Sequence, residues 1–196
     1  MTKTIGEYIR KLPIAEQNAI RLDERNAIQE IGFMKFAVDR REKLPYMFTA
    51  YKSVEPILKI LATGDYSICG HEDSIAVERK TLEDFLGSIT ASRKRFFREM
   101  HRLHRITHRC IVVEDTWEAI IEGCWERRIT IESVAGTIMC ILQDFDIPVY
   151  FCGDRFMAQG FTYRYLEYHW RKWYQSKEPL ASKKIRASRE KTEKKA

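Results

Sequence analysis

Short apolar runs along the chain alternate with segments in which apolar residues recur every three or four positions. The first pattern is typical of buried strands, and the second of helices with one buried face. The apolar runs predict five strands, at residues 33–38, 66–69, 74–80, 110–113 and 147–152. The helical spacing predicts helices at residues 54–61, 82–106 with a break near Gly87-Ser88, 131–145 and 155–174. Strands that alternate with helices predict an α/β fold in which helices flank a central mixed β-sheet.

Local signals are strongest in the middle of the chain. The turn Gly70-His71-Glu72-Asp73 separates two short runs, Tyr66–Cys69 and Ser74–Lys80, which predicts that they pair as a β-hairpin. Thr81 is followed three residues later by Asp84, the spacing of a capping box, so a helix is expected to begin there.

Length and charge divide the chain into three segments. Of its 196 residues, 44% are hydrophobic, which suits one buried core but not two. We expect an N-terminal extension at 1–32, one domain at 33–174 and a basic, disordered tail at 175–196. Residues 171–196 carry ten Lys or Arg and three Glu, so the C-terminal end carries the whole net charge of +6 and the rest of the chain is slightly negative. Such a run either stays solvated or attracts phosphates weakly.

Several classes of protein are disfavoured. No run approaches the roughly 18 apolar residues of a membrane span, and Met1–Arg10 lacks the apolar core of a secretory signal. We therefore expect an intracellular protein, in the cytoplasm or nucleoid of a prokaryote or encoded by a virus, or in the nucleus if the source is eukaryotic. The five cysteines are widely spaced and form no C-x-x-C pair, which favours free thiols over a zinc ribbon.

Candidate chemistry is concentrated in Asp65, Glu78 and Lys80. Strand side chains alternate between faces, so Glu78 and Lys80 should share one side of their strand while Arg79 points away. Asp65, at the start of the hairpin partner, can bring a second carboxylate to that side. Two carboxylates suit Mg²⁺, and a cation with a neighbouring ammonium group is what phosphodiester hydrolysis requires. The spacing alone is common by chance in a chain with 32% charged residues.

The wider context of these three residues is more specific. Val38-Asp39-Arg40-Arg41-Glu42 precedes Gly64-Asp65-Tyr66 and then Val77-Glu78-Arg79-Lys80, with Asp84 and Ser88 after it. This series resembles the motifs of XPF-type structure-specific endonucleases, whose hallmark is G-D followed by V-E-R-K-x-x-x-D. The resemblance covers residues 33–164 and identifies 33–174 as the nuclease domain. It implies a restriction-endonuclease-like fold and cutting of branched, flap or junction DNA in repair or recombination.

The resemblance also implies a role for each matched residue. Asp65 and Glu78 would hold Mg²⁺ or Mn²⁺, with Asp39 supporting the metal shell, and Lys80 would orient the attacking water or stabilise the transition state. Arg79 and Asp84 match positions whose loss should damage activity through orientation of these groups. Asp84 has an alternative role as the capping acid, and Asp39 as an ordinary acid at a strand end. Family members are often dimeric, so a homodimer is a further expectation.

Basic residues cluster on the predicted helix after Ser92. Seven of them stand against the single acid Glu99, which favours a path for the DNA backbone at Arg93, Lys94, Arg95, Arg98, Arg102 and Arg105, followed by Arg109. Nearby His101, His104 and His108 lack a carboxylate or thiol that would complete a zinc site. The aromatic residues of the last helix favour packing or an interface over base stacking: Phe161, Tyr163, Tyr165, Tyr168, Trp170 and Trp173.

Two other functions fit the sequence less well. A catalytically silent DNA-binding or scaffold module, the partner of an active nuclease, would not need to keep Asp65, Glu78 and Lys80 together. A metal-dependent enzyme for a small phosphorylated substrate would not need so basic a helix.

Overall fold

A computed structural model describes residues 33–126 and 129–177. The N-terminal extension and the tail from residue 178 onward lie outside the described residues. Within the described ranges the strands are β1 (Met34–Asp39), β2 (Val54–Lys59), β3 (Tyr66–Ile68), β4 (Ile75–Lys80), β5 (His108–Val113) and β6 (Val149–Phe151). The helices are α1 (Leu82–Ile89), α2 (Arg93–Leu103), α3 (Trp117–Glu126), α4 (Ile131–Gln143) and α5 (Arg155–Lys177).

The six strands form one mixed sheet in the order β2-β1-β3-β4-β5-β6. Strand β3 is antiparallel to both of its neighbours, β1 and β4, whereas every other pair is parallel. The carboxyl ends of β1, β4 and β5 therefore meet at one edge of the sheet, where β3 begins. This arrangement confirms the predicted α/β class and the predicted hairpin of β3 and β4.

Helices cover both faces of the sheet and enclose two cores. On one face, α1 to α4 pack through residues such as Phe85, Met100 and Val134, and on the other α5 packs through Tyr163 and Leu166. Strand β4 contributes Ala76 to the first core and Ile75 and Val77 to the second. Side chains of β4 thus alternate as predicted, which places Glu78 and Lys80 on the face of α2 and Arg79 on the face of α5.

The predicted helix at 54–61 is wrong, because this segment forms the edge strand β2. Pro56 lies in its middle, opposite Phe36 of β1. Proline has no backbone N–H to donate, which an edge strand tolerates because one side of it has no partner strand. The parallel pairing with β1 thus prevails over an apolar spacing that also fits a helix.

Helix α3 was not predicted, and Gly123 explains why. Glycine within a helical pattern weakens the signal, but here α3 packs so closely on α1 that a Cβ at Gly123 would lie 2.8 Å from Leu86 Cδ1. The helix predicted at 82–106 is broken as expected, but at residues 90–92 and not at Gly87-Ser88, which lie within α1. Thr81 caps α1 by accepting the Asp84 N–H. All five cysteines are free, as predicted. Among the helices of the described residues, none is long and apolar enough to cross a membrane.

Candidate active site

A cleft of about 990 Å³ opens at the edge of the sheet where β1, β4 and β5 end. Acidic side chains line its base and basic side chains of α2 line one wall. The acids are Asp39, Glu42, Asp65, Glu78, Glu83, Asp84 and Glu99, and the cations include Lys80, Arg95 and Arg102. The structure therefore gathers all six predicted catalytic residues around one cleft, with Arg79 at its border.

Two hydrogen bonds hold Asp65 beside Glu78. The Asp65 N–H donates to Val77 O at 2.8 Å, and the Asp65 carboxylate accepts the Arg79 backbone N–H at 2.8 Å. These two bonds join Asp65 to the residues on either side of Glu78 in β4. Gly64 makes this approach possible, because its φ is +74° and a Cβ there would lie 3.0 Å from Ala76 Cβ and 3.2 Å from Val77 O. A side chain at position 64 would be strained and would push Asp65 away from β4.

The two carboxyl groups are buried and repel each other. Burial, followed by the charge of Glu78, raises the pKa of Asp65 well above its usual value. Burial raises the pKa of Glu78 to about 6, although the neighbouring Lys80 opposes this shift. A divalent cation would relieve both effects, because it compensates the negative charge of both groups. This donor set fits Mg²⁺ or Mn²⁺, which take one or two protein carboxylates and complete their shell with water and phosphate oxygens.

Lys80 is held at the cleft by two carboxylates. Its Nζ lies 2.6 Å from Glu78 Oε1 and 3.2 Å from Glu99 Oε2, and 5.9 Å from the centre of the Phe96 ring. Burial lowers the pKa of Lys80, but the charges of Glu78 and Glu99 outweigh it, so the pKa lies above its usual value. Lys80 is therefore positively charged beside these two carboxylates.

Asp39 lines the same cleft, but Arg41 occupies its carboxylate. Asp39 Oδ1 accepts from both the backbone N–H and the Nε of Arg41 at 2.9 Å, and Oδ2 accepts the Leu61 N–H at 3.3 Å. Burial raises the pKa of Asp39, but the bonds from Arg41 outweigh it and the net shift is downward. Across residues 33–126 and 129–177, no three Asp, Glu, His or Cys side chains are gathered as a metal-binding group. Asp39 as a metal ligand stays a prediction.

Arg79 lies on the opposite side of β4 in a buried ionic network that the sequence did not reveal. Its Nε and Nη2 each donate to Glu114 at 2.7 Å, and Nη1 donates to Glu42 at 2.9 Å. Tyr46 donates its hydroxyl to Glu114 at 2.6 Å, and Arg155 pairs with the same carboxylate at 3.0 Å. Glu114 directly follows β5, which is parallel to β4. An acid at the end of the strand beside β4 is the sequence signal that could have predicted a partner for Arg79.

Asp84 performs the structural role that the capping box predicted. Its N–H donates to Thr81 Oγ1 at 3.1 Å, and its carboxylate accepts the Thr81 hydroxyl at 2.9 Å. Because Asp84 also borders the cleft, the cap and an orienting role are compatible.

The basic residues of α2 and its flanks divide into three groups. Arg95 and Arg102 line the cleft, and Lys94, Arg98 and Arg105 are exposed elsewhere on or just after α2. Arg93 bonds Thr137 Oγ1 at 2.7 Å, and Arg109 bonds Ile106 O and Asp146. Arg93 and Arg109 therefore have partners within the fold. The other five basic side chains are better placed to bind the phosphates of a polyanion.

The histidines and aromatic residues singled out in the sequence lie elsewhere. His101 and His104 contact the Phe145 ring, whereas the ring of His108 contacts His169 of α5. In α5, Tyr163 is fully buried against the sheet, whereas Tyr168 is largely exposed.

Residues 38–165 match the family model of the ERCC4 domain. This match covers well over half of the chain and includes all the cleft residues predicted from the sequence. The chain belongs to the XPF-type, ERCC4-domain family. This is a family of DNA endonucleases, and the mixed sheet with flanking helices is its restriction-endonuclease-like fold.

Solved XPF structures from Aeropyrum pernix agree with this assignment. One, described as a complex with DNA, is 25% identical, covers 71% of this chain and 66% of that chain, and superposes with a TM-score of 0.57. A second is 23% identical, covers 69% of this chain and 64% of that chain, and has a TM-score of 0.53, which supports the fold alone. The ERCC4-domain chain thus spans slightly less than two thirds of these structures.

A relative in Methanocaldococcus jannaschii, described as a putative ATP-dependent RNA helicase, is 34% identical over 119 residues. These residues are 60% of this chain but only 13% of the helicase. The ERCC4 domain therefore corresponds to a small part of that protein.

Proposed function

We propose that this chain is a divalent-metal-dependent endonuclease that hydrolyses DNA phosphodiesters at branched, flap or junction structures. The observation that carries the proposal is the assembly of Asp65, Glu78 and Lys80 in one cleft whose wall carries Arg95 and Arg102. Family membership supports DNA as the substrate class, and the DNA complex of the Aeropyrum pernix relative supports DNA binding.

Each group of the site has a defined task in this proposal. Asp65 and Glu78 hold Mg²⁺ or Mn²⁺, which when bound lowers the pKa of water and compensates charge on the phosphate. Lys80, kept protonated by its acidic neighbours, stabilises the negative charge that develops in the transition state. Arg79 positions Glu78 indirectly, because it anchors β4 from the opposite face.

The two alternatives account for less of this geometry. A silent scaffold would gain nothing from two buried, mutually repelling carboxyl groups, which cost folding free energy unless a cation binds. An enzyme for a small phosphorylated substrate would not use an open cleft of about 990 Å³ with arginines spaced along a helix.

A substrate panel tests the proposal. Labelled flap, fork, Holliday-junction and linear duplex DNA are incubated with the protein in Mg²⁺, Mn²⁺ or EDTA. The proposal expects cutting of at least one branched substrate that EDTA abolishes. Metal-independent binding to DNA without cutting would support the scaffold instead, and neither binding nor cutting would favour a small substrate.

Removing both cleft-facing arginines should weaken DNA binding. The double variant Arg95→Ala with Arg102→Ala should raise the Kd for flap DNA by about tenfold at moderate salt and reduce the slope of log Kd against log salt by between one and two units. The matched control removes two lysines distant from the cleft, Lys35→Ala with Lys52→Ala, and should change both quantities little. An unchanged salt slope in the arginine variant would remove α2 from the DNA path.

The exposed side of α5 supports the predicted homodimer. Met157 is 48% and Tyr168 is 64% exposed, and Phe161 between them packs against Tyr150 of the edge strand β6, with ring centres 4.4 Å apart. We propose that a second copy covers this surface, since contiguous exposed aromatic residues mark interfaces. Light scattering should give a dimer mass for the wild type and a monomer mass for Phe161→Glu. A monomeric wild type would contradict the dimer but not the nuclease.

A further inference from the structure

Glu99 is an acid placed where every other charge of its helix is positive. From residue 93 to residue 109 it is the only acidic side chain among seven Lys or Arg. It lies on the cleft-facing side of α2, between Arg95 and Arg102, which are four residues before and three after it. A helix that only attracts phosphate would gain from a neutral or basic residue at this position, so the acid needs another explanation.

The partner of Glu99 supplies that explanation. Glu99 Oε2 lies 3.2 Å from Lys80 Nζ, and in the part of the chain that the structure describes Glu99 forms no other ion pair. Among the other acids near β4, Glu42 is paired with Arg79 and Asp39 with Arg41, and the Asp65 carboxylate accepts the Arg79 backbone N–H. Glu99 and Glu78 are therefore the carboxylates that hold the Lys80 ammonium.

We propose that Glu99 is the positioning residue for Lys80: it keeps the ammonium beside the site when a divalent cation engages Glu78. This inference rests on the proposed metal-dependent function. A cation bound to Glu78 competes with Lys80 for the same carboxylate, because the Lys80–Glu78 contact of 2.6 Å occupies Oε1. Glu99 offers the displaced ammonium a second carboxylate within the same cleft.

Glu99 could also affect metal binding in another way, because any negative charge near the site attracts a cation. The two effects differ in their dependence on Lys80. If Glu99 acts through Lys80, its loss leaves Glu78 as the one ion-pair partner of the ammonium among the described residues. Lys80 then competes more strongly with the divalent cation for Glu78. If Glu99 acts only as a charge, its loss has the same consequence whether or not Lys80 is present.

A double-mutant cycle of Mn²⁺ binding separates these effects without DNA or turnover. The free Mn²⁺ signal in electron paramagnetic resonance gives the Kd of the wild type, Glu99→Gln, Lys80→Ala and the double variant. Glu99→Gln should weaken Mn²⁺ binding by roughly three- to tenfold when Lys80 is present, but by less than about twofold in the Lys80→Ala background. Equal effects in both backgrounds would overturn the inference, as would no effect in either.

Controls separate this inference from the proposed function. Glu122→Gln, an exposed acid of α3 outside the cleft, should bind Mn²⁺ as the wild type does. If Glu78→Gln also bound Mn²⁺ as the wild type does, the metal site itself would be wrong and the inference would fail with it. Melting temperatures of Glu99→Gln and of a second substitution, Glu99→Ala, show whether either variant is less stable than the wild type. Unchanged melting temperatures exclude a folding effect on Mn²⁺ binding. In cutting assays at saturating Mn²⁺, Glu99→Gln should lower kcat with little change in KM for DNA, because Arg95 and Arg102 remain.

Discussion

Replacing Glu78 by glutamine should reduce the rate of DNA cutting by about a thousandfold or more, and Asp65→Asn should do the same. Each substitution keeps the shape of the side chain but removes one of the two negative charges that would hold the cation. Glu78 is buried and Asp65 is partly buried, and no group of three or more possible metal ligands is gathered elsewhere in the described residues. Single-turnover cutting of the best substrate from the panel, at saturating Mg²⁺, measures the effect.

Two measurements show that such a loss is specific to the metal site. Binding of flap DNA in EDTA should be unchanged or slightly tighter in both variants, because removal of a negative charge from the cleft does not repel phosphate. Without metal, the thermal stability of Asp65→Asn should rise or stay equal, since it relieves the repulsion between Asp65 and Glu78. Glu78→Gln should lose some stability, because it also gives up the buried ion pair with Lys80. Cutting within about tenfold of the wild-type rate in either variant would contradict the assigned roles.

Replacing Arg79 by methionine should lower the free energy of unfolding by about 3–5 kcal/mol. The change leaves Glu114 buried without its principal partner and takes from Glu42 the guanidinium that it contacts at 2.9 Å. The pKa of Glu114 now lies below its usual value because hydrogen bonds from Arg79 and Tyr46 outweigh the effect of burial. Urea denaturation monitored by circular dichroism measures the loss.

Arg155→Met is the matched control for this prediction. Arg155 contacts the same Glu114 carboxylate but is about a third exposed, so water screens its contribution. Its loss should cost about 1 kcal/mol or less. A cost of Arg79→Met as small as that of Arg155→Met would show that the network contributes little to stability, and Arg79 would then need a direct role in the reaction.

The motif residues allowed much of the site to be predicted from the sequence. The alternation of faces in Glu78-Arg79-Lys80 and the hairpin turn at Gly70 are local properties, and both were predicted correctly. Gly64-Asp65 was identified through the family motif, but its physical reason became apparent only in three dimensions. Only the structure shows that Gly64 lies against the backbone of β4.

Features that depend on contacts distant in sequence could not be predicted in this way. Strand β2 forms because β1 offers a parallel edge, which no spacing within residues 54–61 encodes. The engagement of Arg79 by Glu114 requires the order of the strands, which the sequence pattern leaves open. Glu99 was visible as the single acid of a basic helix, but its partner Lys80 lies on another element.

The central claim is that Asp65 and Glu78 share one divalent cation beside Lys80. Crystals grown with Mn²⁺ and measured at the manganese absorption edge test this claim directly through the anomalous difference map. We expect one strong peak in the cleft, about 2.0–2.3 Å from a carboxylate oxygen of each residue, and no such peak in Glu78→Gln crystals. A map without a peak between these two carboxylates, or with the ion bound elsewhere in the cleft, would contradict the claim.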